Sequence, residues 1–201
     1  MAEKVVAIVG TYRRDHVTET AVDELLRGAS TNGAQVEKIM LLDHPIEFCT
    51  NCRACLQEAG ENRGPCVHDD AMNTLLDKLE AADAMVLASP INFGAETALM
   101  KRFIERLVVY GYWPWGTPQP KNRIKQKPRK AVLLVTSACP AFIAFFLMRG
   151  AFQAMQSAAA VLGAKVIRKV HIGLVAKTQD ELLDEKKMNK AFVAGQKLAV
   201  S

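Results

Sequence analysis

The chain has 201 residues, of which half are apolar and 23% are charged, and its formal net charge is +5. This composition is typical of one compact domain with a substantial core, and it excludes a disordered or fibrous protein. The sequence contains no recognisable nucleic-acid-binding motif, and its first residues lack the pattern of a secretory signal, so we expect a cytoplasmic protein that binds no nucleic acid.

Strand-like and helix-like segments alternate along the chain. Short apolar runs predict buried strands, and the segment after each run has apolar residues at helical spacing. The predicted strands are Val5–Val9, Gln35–Leu42, Ala84–Ala88, Lys130–Val135 and Lys165–Ile172. The first, third and fifth predicted helices have apolar stripes that begin at Val17, Leu99 and Leu182. The second helix is predicted near Asp69–Ala81 and the fourth over Ala141–Leu162.

This alternation predicts an α/β fold, because each crossover helix must hide its apolar stripe on one face of a parallel sheet. We expect a flavodoxin-like three-layer sandwich with a five-stranded parallel sheet of order 2-1-3-4-5. We also expect a single domain over residues 1–201, with a cysteine-rich loop at 43–68 and a basic and aromatic loop at 110–130. The ligand of such a sheet lies beyond the carboxyl ends of its strands.

The most apolar window covers residues 131–148, and its length approaches that of a membrane span. Pro140 divides it. The pattern therefore favours a buried strand, a turn and the start of a packed helix, and we expect no membrane span.

The segment after the first strand, GTYRRDHVTETA, offers hydroxyl groups and a guanidinium near the start of a helix. It contains no G-x-G-x-x-G, which argues against a dinucleotide pyrophosphate on this turn. Thr11, Arg13 and Thr18 instead suit one terminal phosphate, because the first turn of a helix already attracts anions. The alternative is that Thr18 is a plain helix N-cap and Arg13 a surface charge.

The segment after the third strand, Ser89–Gly94, predicts a turn that faces a flat heterocycle. Pro90 fixes the backbone direction and Gly94 allows close approach. The sequence TSACP after the fourth strand adds small side chains on the same side of the sheet. The candidate cofactor-binding residues are Thr11, Arg13, Val17, Thr18, Ser89, Pro90, Ile91, Asn92, Phe93, Gly94, Thr136 and Ser137.

Four of the five cysteines fall within one short segment, CTNCRACLQEAGENRGPC. Thiols stay reduced in the cytoplasm, so metal ligation or redox chemistry is favoured over structural disulfides. The C-x2-C-x2-C run suits one side of a 4Fe–4S cluster, and the fourth thiol could close the cage. Zinc, a disulfide and metal-free thiols remain alternatives. The candidate ligands are Cys49, Cys52, Cys55 and Cys66, while Cys139 is interpreted as a packed loop thiol.

The basic and aromatic loop has two parts. The basic part, Pro120–Lys130, is interpreted as a solvated loop, with a phosphate site or a partner surface as the alternative. The aromatic part, Tyr110–Pro120, holds both tryptophans, Trp113 and Trp115. We expect interface or lid packing for them, with stacking on a flat ring as the alternative.

Three segments carry a resemblance to a known family. GTYRRDHVT at 10–18 is similar to the G-S-x-R-x-x-x-x-T phosphate loop of the NADPH-dependent FMN reductase group of flavodoxin-like proteins. SPINFGAETALMKRFIER at 89–106 resembles the S-P-x-Y-x-G segment of that group and the long helix that follows it. The cysteine segment, followed by DDAM at 69–72, resembles that of the iron-sulfur flavoprotein branch.

The resemblance implies FMN, with its phosphate held by Thr11, Arg13 and Thr18 and its ring lined by residues 90–94. It also implies electron transfer from NAD(P)H or a reduced protein donor, a 4Fe–4S cluster on the four cysteines, and a homodimer or homotetramer. The predicted function is therefore that of an FMN-dependent oxidoreductase with an unidentified acceptor. The alternatives are a non-enzymatic electron carrier and a zinc-stabilised binding protein without flavin.

Overall fold

The protein is described by a computed structural model that covers residues 3–126, 128–140, 143 and 148–199. The long strands are β1 (Lys4–Val9), β2 (Gln35–Met40), β3 (Ala84–Asn92), β7 (Arg129–Thr136) and β8 (Ala164–Ile172). The short strands are β4 (Ala95–Glu96), β5 (Gly111–Tyr112) and β6 (Lys121–Asn122). The helices are α1 (Val17–Ser30), α2 (Met72–Glu80), α3 (Ala98–Arg106), α4 (Arg149–Val161) and α5 (Glu185–Leu198).

The long strands form one parallel sheet in the order β2-β1-β3-β7-β8. Because β7 and β8 are the fourth and fifth long strands, the predicted order 2-1-3-4-5 is confirmed. The short strand β4 pairs antiparallel with the end of β3, and β5 and β6 form a separate hairpin.

Helices cover both faces of this sheet. Successive residues of a strand point to opposite faces, and β1 shows the consequence: Val6 and Ile8 belong to a core that includes Leu75 of α2 and Phe103 of α3. Its residues Val5, Ala7 and Val9 belong to a second core with α1 and α5. The predicted three-layer sandwich is therefore confirmed.

Two strands end more than one residue away from the residue that the sequence predicted. The second strand stops at Met40, because Leu41–Asp43 form a 3₁₀ turn. The third strand continues to Asn92, because its last two residues pair with β4. Phe93 and Gly94 make the turn between them with φ of 51° and 76°, as a two-residue hairpin loop requires. Of the predicted turn at residues 89–94, the first four residues are therefore strand, and Phe93 and Gly94 form the turn itself.

The apolar window at 131–148 contains most of β7, as predicted. The predicted helix over Ala141–Leu162 is confirmed from Arg149 to Val161, while residues 141, 142 and 144–147 lie outside the described residues. Among the helices that the structure describes, none is long and apolar enough to cross a membrane. The last helix begins at Glu185, so the prediction that Leu182 lies on its buried stripe is wrong; that side chain is 81% exposed.

Helices α1 and α5 pack through a pair of glycines. A Cβ on Gly28 would stand 2.1 Å from the carbonyl oxygen of Phe192, and one on Gly195 would stand 1.8 Å from that of Leu25. Real Cβ atoms do not approach so closely, so the helix backbones can touch only where the side chain is absent. Close packing of the two helices thus depends on glycine at both positions. Because α1 follows β1, its N-terminus faces the carboxyl edge of the sheet.

We predict that Gly28→Ala lowers the free energy of unfolding by about 1–3 kcal/mol, the usual cost of overpacking. Gly150→Ala in α4 is the control, since a Cβ there meets no described atom within 4 Å. It should be neutral or stabilising, because alanine favours helix more than glycine. Urea unfolding measures both variants; equal stability of the two would contradict the close packing of α1 on α5.

Candidate functional site

A cavity of about 390 Å³ opens where β1, β3 and β7 end. Its size lies in the range of about 300–1,000 Å³ that is usual for small-molecule sites. Parallel strands bring their carboxyl ends to one edge, which explains why residues from distant segments meet there. The predicted residues that line it are Thr11, Arg13, Val17, Thr18, Pro90, Ile91, Asn92, Thr136 and Ser137.

The N-terminus of α1 forms one wall of this cavity. The helix begins at Val17, and the side chain of the N-cap residue His16 accepts no hydrogen bond from its first turn. The backbone N–H groups of a first turn have no partner within the helix and carry the positive end of the helix dipole. This wall therefore attracts an anion.

Buried hydroxyl groups surround the same helix start. Thr18 is the second residue of α1 and is no N-cap, so the alternative interpretation of it is wrong. Its Oγ1 lies 2.7 Å from Oγ1 of Thr136, and both side chains are buried. Thr11 Oγ1 accepts a hydrogen bond from the backbone N–H of Arg13 at 3.2 Å, which holds the loop in a tight turn. These hydroxyls add polar partners to the anion-attracting wall.

The segment after β8 closes the cavity from the other side. The guanidinium of Arg13 donates to the carbonyl oxygen of Gln179 at 2.8 Å, and Nε2 of His16 lies 2.9 Å from the same oxygen. Sequence reasoning missed this segment, although a fifth parallel strand must also end at the same edge. Across all segments, the lining residues that were not among the predicted cofactor-binding residues are Tyr12, His16, Ala138, Val175, Ala176 and Thr178.

Three predicted residues lie outside the cavity wall as the described residues define it. Ser89 is fully buried; its Oγ accepts from the N–H of Thr97 at 3.1 Å and donates to the carbonyl of Pro90 at 2.8 Å. Ser89 therefore lies behind the cavity wall and holds the end of β3 in place through these two hydrogen bonds. Phe93 and Gly94 form the tip of the β3–β4 turn, and the Phe93 ring is fully exposed.

Ser137 connects the cavity to a half-buried histidine, His171. Its Oγ lies 2.9 Å from Nε2 of His171 and accepts the backbone N–H of Cys139 at 3.2 Å. Burial lowers the pKa of His171, and the nearby Lys190 ammonium lowers it further. The lowered pKa favours the neutral imidazole, and its Nε2 is the hydrogen-bond partner of the Ser137 hydroxyl at the cavity wall.

The four clustered cysteines line a second cavity, of about 270 Å³. Cys55 is buried, Cys49 and Cys66 are half-buried and Cys52 is exposed. Burial raises the pKa of the Cys55 thiol, and the sulfurs of the other three cysteines raise it further, because like charges would gather there. Within the described part of the chain, no group of three or more Cys, His, Asp or Glu side chains has a geometry that could hold a metal ion.

The backbone around these thiols is tightly folded. Asn51 and Arg53 have left-handed conformations, with φ of 55° and 60°, and turn the chain between successive cysteines. A Cβ on Gly64 would stand 1.8 Å from the carbonyl oxygen of Cys55, so the backbone at Gly64 lies directly against the backbone at Cys55. Glycine at this position lets Cys66 come back beside the other thiols.

Arg123 holds this loop from within. Its guanidinium donates to the carbonyl oxygens of Cys55, Glu58, Gly60 and Gly111 at 3.1, 2.8, 3.1 and 2.9 Å. Its side chain is buried, so the interpretation of the basic segment as a solvated loop is wrong at this position. The physical reason is that a guanidinium has five N–H donors and can satisfy several turn carbonyls at once.

The tryptophans pack on the cysteine loop. The Arg53 guanidinium lies 4.0 Å from the ring centroids of both Trp113 and Trp115, in cation–π geometry. Trp113 also lines the cysteine cavity. Neither ring lines the 390 Å³ cavity as the described residues define it. Of the two predictions for them, lid packing fits this arrangement better than stacking on a flavin.

Comparison with known proteins identifies the family. Residues 3–178 match the family model of NADPH-dependent FMN reductases, so the chain belongs to that family. An iron-sulfur flavoprotein of Archaeoglobus fulgidus is 36% identical over 111 residues, which are 55% of this chain and 48% of that protein. An iron-sulfur flavoprotein of Methanocaldococcus jannaschii is 32% identical over 103 residues, 51% of each chain. The chain thus spans about half the length of these relatives.

Solved structures show the same fold. An NAD(P)H:quinone oxidoreductase from Methanothermobacter marburgensis superposes with a TM-score of 0.72 and 19% identity, covering 100% of this chain and 99% of that one. This likeness supports the flavodoxin-like architecture.

Proposed function

We propose that the protein is an FMN-dependent oxidoreductase, which takes electrons from NAD(P)H or a reduced carrier and delivers them to an acceptor. Its membership of the NADPH-dependent FMN reductase family supports this proposal. The observation that carries it is the 390 Å³ cavity, with the uncapped start of α1 on one side and the end of β3 on the other.

The residues of this cavity fit FMN at both ends. The first turn of α1, with Thr11 and Thr18, would hold the phosphate through N–H and hydroxyl donors. Arg13 would add positive charge while it holds the segment after β8. Pro90 and Ile91 would support the flat ring, with Ser137 as a polar contact at the wall. We assign these roles as part of the proposal.

FMN would supply the chemistry itself, since a flavin accepts a hydride and can release electrons singly. The protein would bind the cofactor and orient it. Hydride transfer needs no general base, so we assign no catalytic acid or base among the side chains.

Stopped-flow mixing with NADH or NADPH tests the proposed activity. We expect the flavin absorbance of FMN-loaded, anaerobic protein to bleach on mixing with at least one of the two nucleotides. Reduction by a protein donor alone would favour the alternative, a non-enzymatic electron carrier. Protein that binds no FMN would contradict both functions.

The phosphate site is tested by Thr18→Val, which keeps the side-chain shape and removes the hydroxyl. We expect FMN to bind about 10–100-fold more weakly, because a hydrogen bond to a charged group contributes about 1.5–3 kcal/mol. Thr31→Val, at the opposite end of α1, is the matched control and should leave the dissociation constant unchanged. Quenching of flavin fluorescence measures both, and equal affinities would exclude Thr18 from the site.

We further propose that Cys49, Cys52, Cys55 and Cys66 hold a 4Fe–4S cluster. All four line one cavity, and soft thiolates are the ligands of such clusters. The relatives named iron-sulfur flavoprotein support this assignment. Zinc on the same thiols is the alternative, since tetrahedral sulfur ligation suits it as well.

The cluster is tested by Cys52→Ala, with Cys139→Ala as the control outside the cysteine cavity. In anaerobically purified protein, we expect Cys52→Ala to lose iron and acid-labile sulfide while it retains FMN. Cys139→Ala should keep all three. Elemental analysis that finds zinc and no sulfide in the unmodified protein would exclude the cluster.

A further inference from the structure

Arg106, the last residue of α3, is an unusual side chain for a protein interior. Only 1% of it is exposed, although it carries a full positive charge. Burying an unpaired guanidinium costs several kcal/mol, so its partners must compensate for the lost hydration. Those partners lie at both ends of the cysteine loop.

The charge of Arg106 is balanced by Asp70. Nη1 donates to one carboxylate oxygen at 2.6 Å and Nη2 to the other at 3.3 Å, in a two-point ion pair. Asp70 in turn accepts the backbone N–H groups of Glu47 and Met72 at 2.8 and 2.9 Å. Nη1 also donates to the carbonyl oxygen of Glu47 at 2.9 Å. The pair therefore anchors the chain just before Cys49 and just after Cys66.

The same guanidinium also contacts sulfur. Nη2 of Arg106 lies 3.4 Å from Sγ of Cys66, within hydrogen-bond distance for a sulfur acceptor. The Arg106 side chain lines the cysteine cavity, and its buried Nε has no acceptor among the described residues. A charged N–H donor is thus directed at one of the four proposed cluster ligands.

We propose that Arg106 is a positioning residue that raises the reduction potential of the cluster through its hydrogen bond to the Cys66 sulfur. This inference rests on the proposed cluster. A donor on a ligand sulfur withdraws electron density, and a fixed positive charge favours the more negative, reduced cluster. The result is a cluster that accepts an electron more readily than the same four thiolates would allow alone.

The affected step is a one-electron reduction. A 4Fe–4S cluster held by these four thiolates would take up one electron, with no bond formed or broken and no proton moved. The electron comes from reduced flavin in the proposed enzyme and from dithionite in the test below. Asp70 limits the effect, because its negative charge opposes that of the guanidinium.

The test is an anaerobic dithionite titration followed by the electron paramagnetic resonance signal of the reduced cluster. In Arg106→Lys the ammonium cannot reach both Asp70 and Cys66, so we expect a shift to a more negative potential at unchanged iron content. Arg123→Lys is the matched control, because Arg123 is a buried arginine that packs against the same loop and donates to carbonyl oxygens rather than to a sulfur. It should leave the potential unchanged while it lowers stability to urea.

A second variant decides the matter if Arg106→Lys does not retain the cluster. Asp70→Asn keeps the donor to Cys66 and removes the opposing charge, so the potential should become more positive. Equal potentials in the unmodified protein and in either Arg106→Lys or Asp70→Asn would overturn the inference. Unmodified protein without iron and sulfide would instead overturn the proposed cluster, so the two failures are distinguishable.

Discussion

The parallel pairing of β1 with both of its neighbours is the constraint on which the rest of the structure depends. Val9, the last residue of β1, lies opposite Met40 of β2 and Ala88 of β3. Three parallel strands span roughly 10 Å across, and the segments that follow them leave from the same edge of the sheet. The segment after β1 begins the anion-attracting wall of the 390 Å³ cavity, the end of β3 lines that cavity, and the segment after β2 carries the cysteines. Strand direction thus brings the two proposed redox sites to the same edge of the sheet.

Much of this arrangement could be predicted from the sequence. Apolar periodicity predicted the five long strands, and their alternation with helices predicted a parallel sheet, because such a sheet hides the apolar stripe of each helix. The order 2-1-3-4-5 was the flavodoxin-like candidate for a chain of this length. The end of β3 was missed because its last residues are held by pairing with β4, which apolar periodicity does not show. The donation by Arg123 to Cys55 joins residues 68 positions apart, and no local pattern predicts such a contact.

Buried arginines distinguish the cysteine loop from the 390 Å³ cavity at α1. The sequence shows a surplus of positive charge, which suggested a solvated segment or a surface for partners. Arg123 and Arg106 instead lie inside the protein, one on turn carbonyls and one on a carboxylate and a sulfur. The proposed cluster on four thiolates would be anionic, and this internal positive charge would compensate it where water cannot. The cavity at α1 attracts its anion differently, through backbone N–H groups and hydroxyls.

We propose that the start of α1 binds the phosphate of FMN, and phosphorus-31 NMR of FMN added to the oxidised protein can observe this phosphate itself. Free FMN titrates near pH 6, the usual second pKa of a phosphate monoester. We predict that the resonance of bound FMN stays constant between about pH 5 and 8, because unpaired N–H donors hold the dianion. A resonance that moves with pH as in free FMN would contradict binding of the phosphate at the start of α1.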